Sequence, residues 1–283
     1  MNSRSPKLPP GPPPRGKGAL QTIRYAASFF FDPLGFVGDR FDTYGDIYNA
    51  PSNGVGLFVV RRAEHAREVL VTHADIFEKS HTAFQALGQV LGEGLLTSEG
   101  EVWRRHRRLA NPAFAKRAID GYVRAMADEA EVTRERMREG EIVDAAKAMT
   151  DLTLRIVGRT LLGTDVASDV AKIGRAMGVF QTALAFPQSA PFLVRAPIQR
   201  WLQSAVSDLH AIIDRMIALR RKKRLDPPDL AQMLLDAVDP EDEAGKLSEK
   251  DVKDELVTFL LAGHETTSNT LAWAMYLLSK RPE

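Results

Sequence analysis

From Ser248 to Ser279 the sequence contains no proline and a single glycine, Gly263. Ser248 followed by Glu249, Lys250 and Asp251 has the pattern of a capping box, which starts a helix by satisfying its first free N–H groups. A helix with that start and no breaker spans roughly 45 Å at 1.5 Å per residue, enough to cross a whole domain. Such a helix has to be a central pillar, and the rest of the fold must be arranged around it. Its flanks suit that role, with Val252, Leu256, Phe259, Leu260 and Leu261 before the middle and Leu271, Trp273, Met275, Leu277 and Leu278 after it. Its middle does not, because residues 263–270 read Gly-His-Glu-Thr-Thr-Ser-Asn-Thr without one large hydrophobe.

The remaining chain is long enough to surround such a pillar. It has 283 residues, 44% hydrophobic and 27% charged, which is a globular balance. Thirty-eight Lys and Arg against 37 Asp and Glu leave a net charge of +1, so no global field favours nucleic acid or an anionic membrane. The absence of cysteine excludes disulfides, a thiolate nucleophile and any cysteine-ligated metal within this stretch. Residues 1–18 form a Pro-rich arm with the character of polyproline, carrying Pro6, Pro9, Pro10, Pro12, Pro13 and Pro14. The most apolar early stretch, Tyr25 to Val37, is interrupted by Asp32, Pro33 and Gly35, so neither a signal peptide nor a membrane span is expected. A soluble, cytoplasmic protein is the default.

Between Ile47 and Val60 the pattern is that of a β-hairpin, with Pro51, Ser52, Asn53 and Gly54 as its turn. Helical spacing follows over Ala63–Val71, Glu101–Leu109, Arg117–Arg138, Ala145–Leu162, Ser204–Lys223, Leu230–Val238 and Glu249–Ser279. The fold class is mainly α with a small N-terminal β element. Two intervals, His81–Ser98 and Phe186–Pro197, show no clear period and read as loops. Their large apolar residues, among them Phe84, Leu87, Phe186, Phe192 and Leu193, suggest a lipophilic ligand.

The polar centre of the long helix admits more than one reading. Ala262 and Thr266 share one face, as do Gly263 and Thr267, so a flat ligand could lie close to the backbone with a hydroxyl and a carboxylate beside it. A polar stripe facing water or another helix is equally compatible. His264-Glu265 resembles the start of a zinc-binding HExxH, but Ser268 stands where the second histidine is needed. The basic helix carries Trp103, Arg104, Arg105, His106, Arg107 and Arg108, where Trp103 and Arg107 at i, i+4 can jointly hold an anion. Alone, that cluster is also what a solvated face or a nucleic-acid patch looks like; the neutral overall charge and lack of interleaved aromatics argue against nucleic acid.

The string Leu261-Ala262-Gly263-His264-Glu265-Thr266-Thr267 resembles the oxygen-activation motif in the central helix of cytochromes P450. Trp103-x-x-x-Arg107 upstream resembles that family's WxxxR helix, and weaker similarities, such as Tyr44-Gly45-Asp46 and the run from His73 to Ser80, extend over nearly the whole chain. The resemblance implies haem b as cofactor, with Trp103 and Arg107 on a propionate, Ala262 and Gly263 over the haem plane, and Leu95 also against the cofactor. It implies Glu265 and Thr266 as the acid and alcohol that handle protons during dioxygen activation, and Leu96 and Phe259 at the substrate. It further implies monooxygenation of a small lipophilic substrate with O2, and electrons from NAD(P)H through a ferredoxin or flavoprotein reductase. Arg104, Arg105 and Arg108 would then face outward toward an acidic redox partner.

The family's iron-ligating cysteine and the ExxR helix before it lie downstream of the central helix, whereas this sequence stops at Glu283. Its four ExxR strings, at Glu64–Arg67, Glu101–Arg104, Glu131–Arg134 and Glu135–Arg138, all lie upstream. The expectation is an incomplete cytochrome P450 fold: residues 19–283 as the N-terminal part of a single domain, without a metal ligand and inactive by itself. The alternative is a helical binding remnant without catalysis.

Overall fold

The computed structural model describes residues 8–12, 24, 27–29, 31–50, 56–79, 81–161, 163, 169–185, 192–226, 228–239 and 245–281. They fall into two units, one ending at Glu78 and one starting at Lys79.

In the first unit, helix α1 (Pro33–Tyr44) starts where the Asp32 carboxylate accepts the Gly35 N–H at 2.9 Å, with Pro33 at the first position. Strands β1 (Ile47–Ala50) and β2 (Leu57–Val60) pair antiparallel, Ile47 opposite Val60, which is the expected hairpin. Its turn, residues 51–55, lies outside the described residues. Phe41 packs edge-on against Tyr48 with ring centres 5.1 Å apart, forming a small core with Ala50. Of the proline arm, Pro10 lies beside β1, where its carbonyl accepts the Asn49 N–H at 2.9 Å. Helix α2 (Ala63–Arg67) then runs into a π-helical segment, Glu68–Thr72.

The second unit contains α3 (His81–Leu91), α4 (Gly100–Ala110), a 3₁₀ turn at Asn111–Phe114, α5 (Lys116–Arg136), α6 (Ala145–Leu161), α7 (Val170–Ala185), α8 (Phe192–Lys222), α9 (Leu230–Asp236) and α10 (Glu249–Ser279). Helix α10 is the pillar that its sequence requires. Its capping box is closed, the Ser248 hydroxyl accepting the Asp251 N–H at 3.1 Å and the Asp251 carboxylate accepting the Ser248 N–H at 3.0 Å. Val252, Leu256, Val257, Leu260 and Leu261 are buried in one core cluster. Helix α6 lies along α10 over the longest contact, α5 backs α6, α3, α8 and α9 also touch α10, and α7 pairs with α8. No helix among the described residues is long and apolar enough to cross a membrane.

Three expectations change. The interval His81–Ser98 is a helix up to Leu91, whose Leu87, Val90 and Leu91 pack into the core; one glycine and a short length hide the period. Phe192–Pro197 is the start of α8, which accommodates Pro197 near its N-terminal end, and residues 186–191 lie outside the described residues. Helix α1, and helix α7 with Gly174 and Gly178 diluting its pattern, have no counterpart among the expected elements.

Candidate functional site: the two faces of the central helix

The eight polar residues in the middle of α10 divide by face. His264 and Ser268 turn inward and are 2% and 3% exposed. His264 Nδ1 donates to the Leu260 carbonyl at 2.8 Å, and its own carbonyl accepts the Thr153 hydroxyl of α6 at 3.1 Å. Burial pushes the His264 imidazole below the ordinary value of 6.5, only partly opposed by the Leu260 carbonyl. It is a core histidine, neutral at neutral pH. Gly263 also serves the inner side, because a Cβ there would meet Val157 Cγ2 of α6 at 3.2 Å. Its missing side chain lets the two helices approach.

Ala262, Thr266, Thr267, Asn269 and Thr270 are exposed, and Glu265 is half-buried. Phe259, Ala262 and Thr266 follow one another at i, i+3 and i+7, so they share a face. Phe259 is half-buried and its ring centre lies 5.2 Å from that of Phe114. The hydroxyls of Thr266, Thr267 and Thr270 each donate to the carbonyl four residues earlier, at 3.0, 3.0 and 2.9 Å. The helix continues through them to Ser279, and each hydroxyl oxygen keeps its lone pairs free to accept.

Helix α4 is also two-faced. Trp103 and Arg107 are exposed and lie on one side, as their spacing requires, while His106, Leu109 and Ala110 are buried on the other. His106 Nδ1 lies 2.8 Å from Glu255 Oε1 of α10, with both side chains almost fully buried. Two of the three arginines expected to face outward do not. Arg108 makes a two-pronged contact with Asp239 at 2.9 and 3.0 Å, and Arg105 donates to the Lys246 carbonyl at 2.7 Å and lies 3.6 Å from the same carboxylate. The Asp239 side chain is completely buried, so the two arginines are the cations that a buried carboxylate demands. Arg104 remains outward, paired with Glu101.

The segment between α3 and α4 is seated directly on α10. Asp254 accepts the Glu93 N–H at 2.9 Å, Gly92 adopts φ +64°, and a Cβ on it would fall inside the Asp254 carboxyl group. A Cβ on Gly94 would strike Thr258. The seat places Leu95 half-buried and Leu96 exposed. The Lys79 ammonium ties its far end by donating to the carbonyls of Ser98 at 2.6 Å and Leu95 at 3.3 Å, and sits 6.0 Å from the Trp103 ring centre. Burial lowers the lysine's pKa, with Glu99 opposing.

These contacts between Lys79, Asp254, Glu255 and Asp239 and their partners were not expected from sequence. The lone signal was the presence of charged residues, Asp254 and Glu255, in an otherwise apolar stretch of a pillar helix.

With this geometry in place, comparison with known proteins is decisive: residues 29–283 match the Cytochrome P450 family. The chain belongs to the cytochrome P450 family. Among curated P450 relatives, cyclooctat-9-en-7-ol 5-monooxygenase of Streptomyces melanosporofaciens is 31% identical over all of this chain and 64% of its own length. Pentalenene oxygenase of Streptomyces avermitilis is 28% identical over 94% of this chain and 59% of its own, and cyclooctatin synthase of Streptomyces melanosporofaciens 29% over 94% and 58%. The chain thus spans about three-fifths of the length of these P450 relatives.

The P450 family carries a haem-thiolate group, and the exposed residues suit the haem itself. Trp103 and Arg107 offer an indole N–H and a guanidinium to a carboxylate, and Ala262 leaves the outer face of α10 low enough for a flat ring to approach. The 283 residues contain no cysteine, so a thiolate is not among the groups they supply.

Proposed function

We propose that the protein containing these residues is a haem-dependent monooxygenase that inserts one oxygen atom of O2 into a small lipophilic substrate. Electrons would come from NAD(P)H through a ferredoxin or flavoprotein reductase. The observation that carries this reading is the division of α10: an outer face with Ala262 and Thr266 exposed, opposite an inner face sealed by His264, Ser268 and α6. Relatives whose names carry pentalenene and cyclooctat-9-en-7-ol support a lipophilic substrate.

Bound haem supplies the iron chemistry that activates dioxygen. The chain's own residues do the rest. Trp103 and Arg107 bind and orient the carboxylate edge. Ala262, with Gly263 behind it, keeps the helix backbone close to the ring, and Leu95 contributes an apolar contact. Thr266 Oγ1 now donates to the Ala262 carbonyl at 3.0 Å; rotation about one bond aims the same proton outward, while Glu265, next along the helix, replenishes it. Leu96 and Phe259 hold the apolar substrate and exclude water.

The test is Thr266→Ala in the protein expressed from its complete reading frame, with product formed per NAD(P)H consumed as the readout. Removing the alcohol is expected to lower that ratio about 10-fold or more, since a positioned proton donor contributes roughly 100-fold or more to a rate. An unchanged ratio contradicts the relay.

A further inference from the structure

The buried contact between His106 and Glu255 has no part in the chemistry proposed above, yet it lies between the two helices that carry that chemistry. His106 precedes Arg107 by one residue and follows Trp103 by three; Glu255 stands seven residues before Ala262 on α10. Their side chains are 3% and 0% exposed, and Glu255 Oε2 has no hydrogen-bond partner among the described residues. A histidine–carboxylate contact is a poor way to gain stability in such a place, because desolvating the two groups offsets most of their attraction, and well-packed apolar residues often do as well. What it provides is direction, since a hydrogen bond constrains distance and angle and an apolar contact does not.

From this we infer that His106 and Glu255 are positioning residues that fix the rotation of α4 about its own axis and thereby aim Trp103 and Arg107. A helix with side chains has a radius of about 5–6 Å, so a 20° rotation moves an outer atom by about 2 Å. A displacement of that size is enough to break both bonds of a guanidinium to a carboxylate. The Arg108–Asp239 contact and the Arg105 bond to the Lys246 carbonyl anchor the same helix near the start of α10, but both arginine side chains remain partly open to solvent, Arg108 being 38% exposed and Arg105 24%. The fully enclosed contact is the one between His106 and Glu255.

The inference rests on the proposed role of Trp103 and Arg107, and the experiment separates the two claims. In the holoprotein from the complete reading frame, the rate of haem transfer to apomyoglobin and the thermal midpoint are measured for four proteins: wild type, Arg107→Ala, His106→Leu/Glu255→Leu, and the triple variant. Positioning through Arg107 predicts that the double variant keeps its midpoint within a few degrees but releases haem about 10-fold faster. It also predicts that adding Arg107→Ala to the double variant changes the rate little further. An unchanged release rate in the double variant overturns the inference, as does a full and independent loss in the triple variant. Arg107→Ala without effect on release overturns the role of Arg107 itself and the inference with it. Should the double variant fail to fold, Glu255→Met, which keeps the length of the side chain and removes the carboxylate acceptor, replaces it. It is expected to release haem faster than wild type and no faster than wild type once Arg107 is alanine in both; equal rates with Arg107 present overturn the inference.

Discussion

At the scale of single residues, the recognisable string at 261–267 divides into two sets with opposite tasks. Ala262 and Thr266 face outward, Gly263 and His264 serve the packing of α10 on α6, and Ser268 is buried with its hydroxyl donating to the Glu265 carbonyl. The buried His264 makes stability depend on pH in a definite direction. The folded state holds its pKa below 6.5, so the unfolded chain binds the proton more readily. The contribution is complete above 6.5 and is lost as pH falls below it. His210, also lowered by burial first and by Lys253 second, acts in the same window. Thermal midpoints measured between pH 7.5 and 5.5 should fall, and His264→Gln should flatten that dependence, because glutamine can donate to the Leu260 carbonyl without titrating. A variant with the wild-type slope contradicts the assignment of a neutral buried imidazole.

At the scale of elements, α10 was legible to its last residue, since a capping box opens it and no breaker interrupts it. The hairpin was legible from its turn and from its β-branched run. Helix α3 was not, because eleven residues with a glycine give too few turns for a period to stand out, and α7 was obscured by two glycines. The seating of the segment before α4 could not be read at all. It depends on Asp254 meeting Glu93 across 161 positions of sequence, and periodicity carries no information about such pairs. The glycines there give the clearest test. Gly92→Ala forces a side chain into the left-handed region and into the Asp254 carboxyl group, and is expected to cost about 2 kcal/mol or more in urea unfolding. Gly88, in open space on α3 and without a positive φ, is the control: alanine there should be neutral or stabilising by up to about 1 kcal/mol. Equal effects at the two positions contradict the seat.

At the scale of the whole molecule, the first half of α10 is buried and the second half is open, with Trp273, Tyr276, Leu277 and Leu278 each more than half exposed. Exposed apolar rows of this kind mark interaction surfaces. The proposed site consists of two exposed surfaces, the Trp103 and Arg107 side of α4 and the Ala262 and Thr266 side of α10. The most direct measurement is a haemin titration of the protein from its complete reading frame, followed by absorbance, for wild type and Ala262→Trp. Ala262 is exposed and alanine-to-tryptophan leaves the inner face of α10 untouched, so the variant should keep its thermal midpoint. One haem per wild-type chain is expected, with binding weakened at least 10-fold by the indole. Wild-type affinity in Ala262→Trp would contradict the claim that the outer face of α10 lies against the haem.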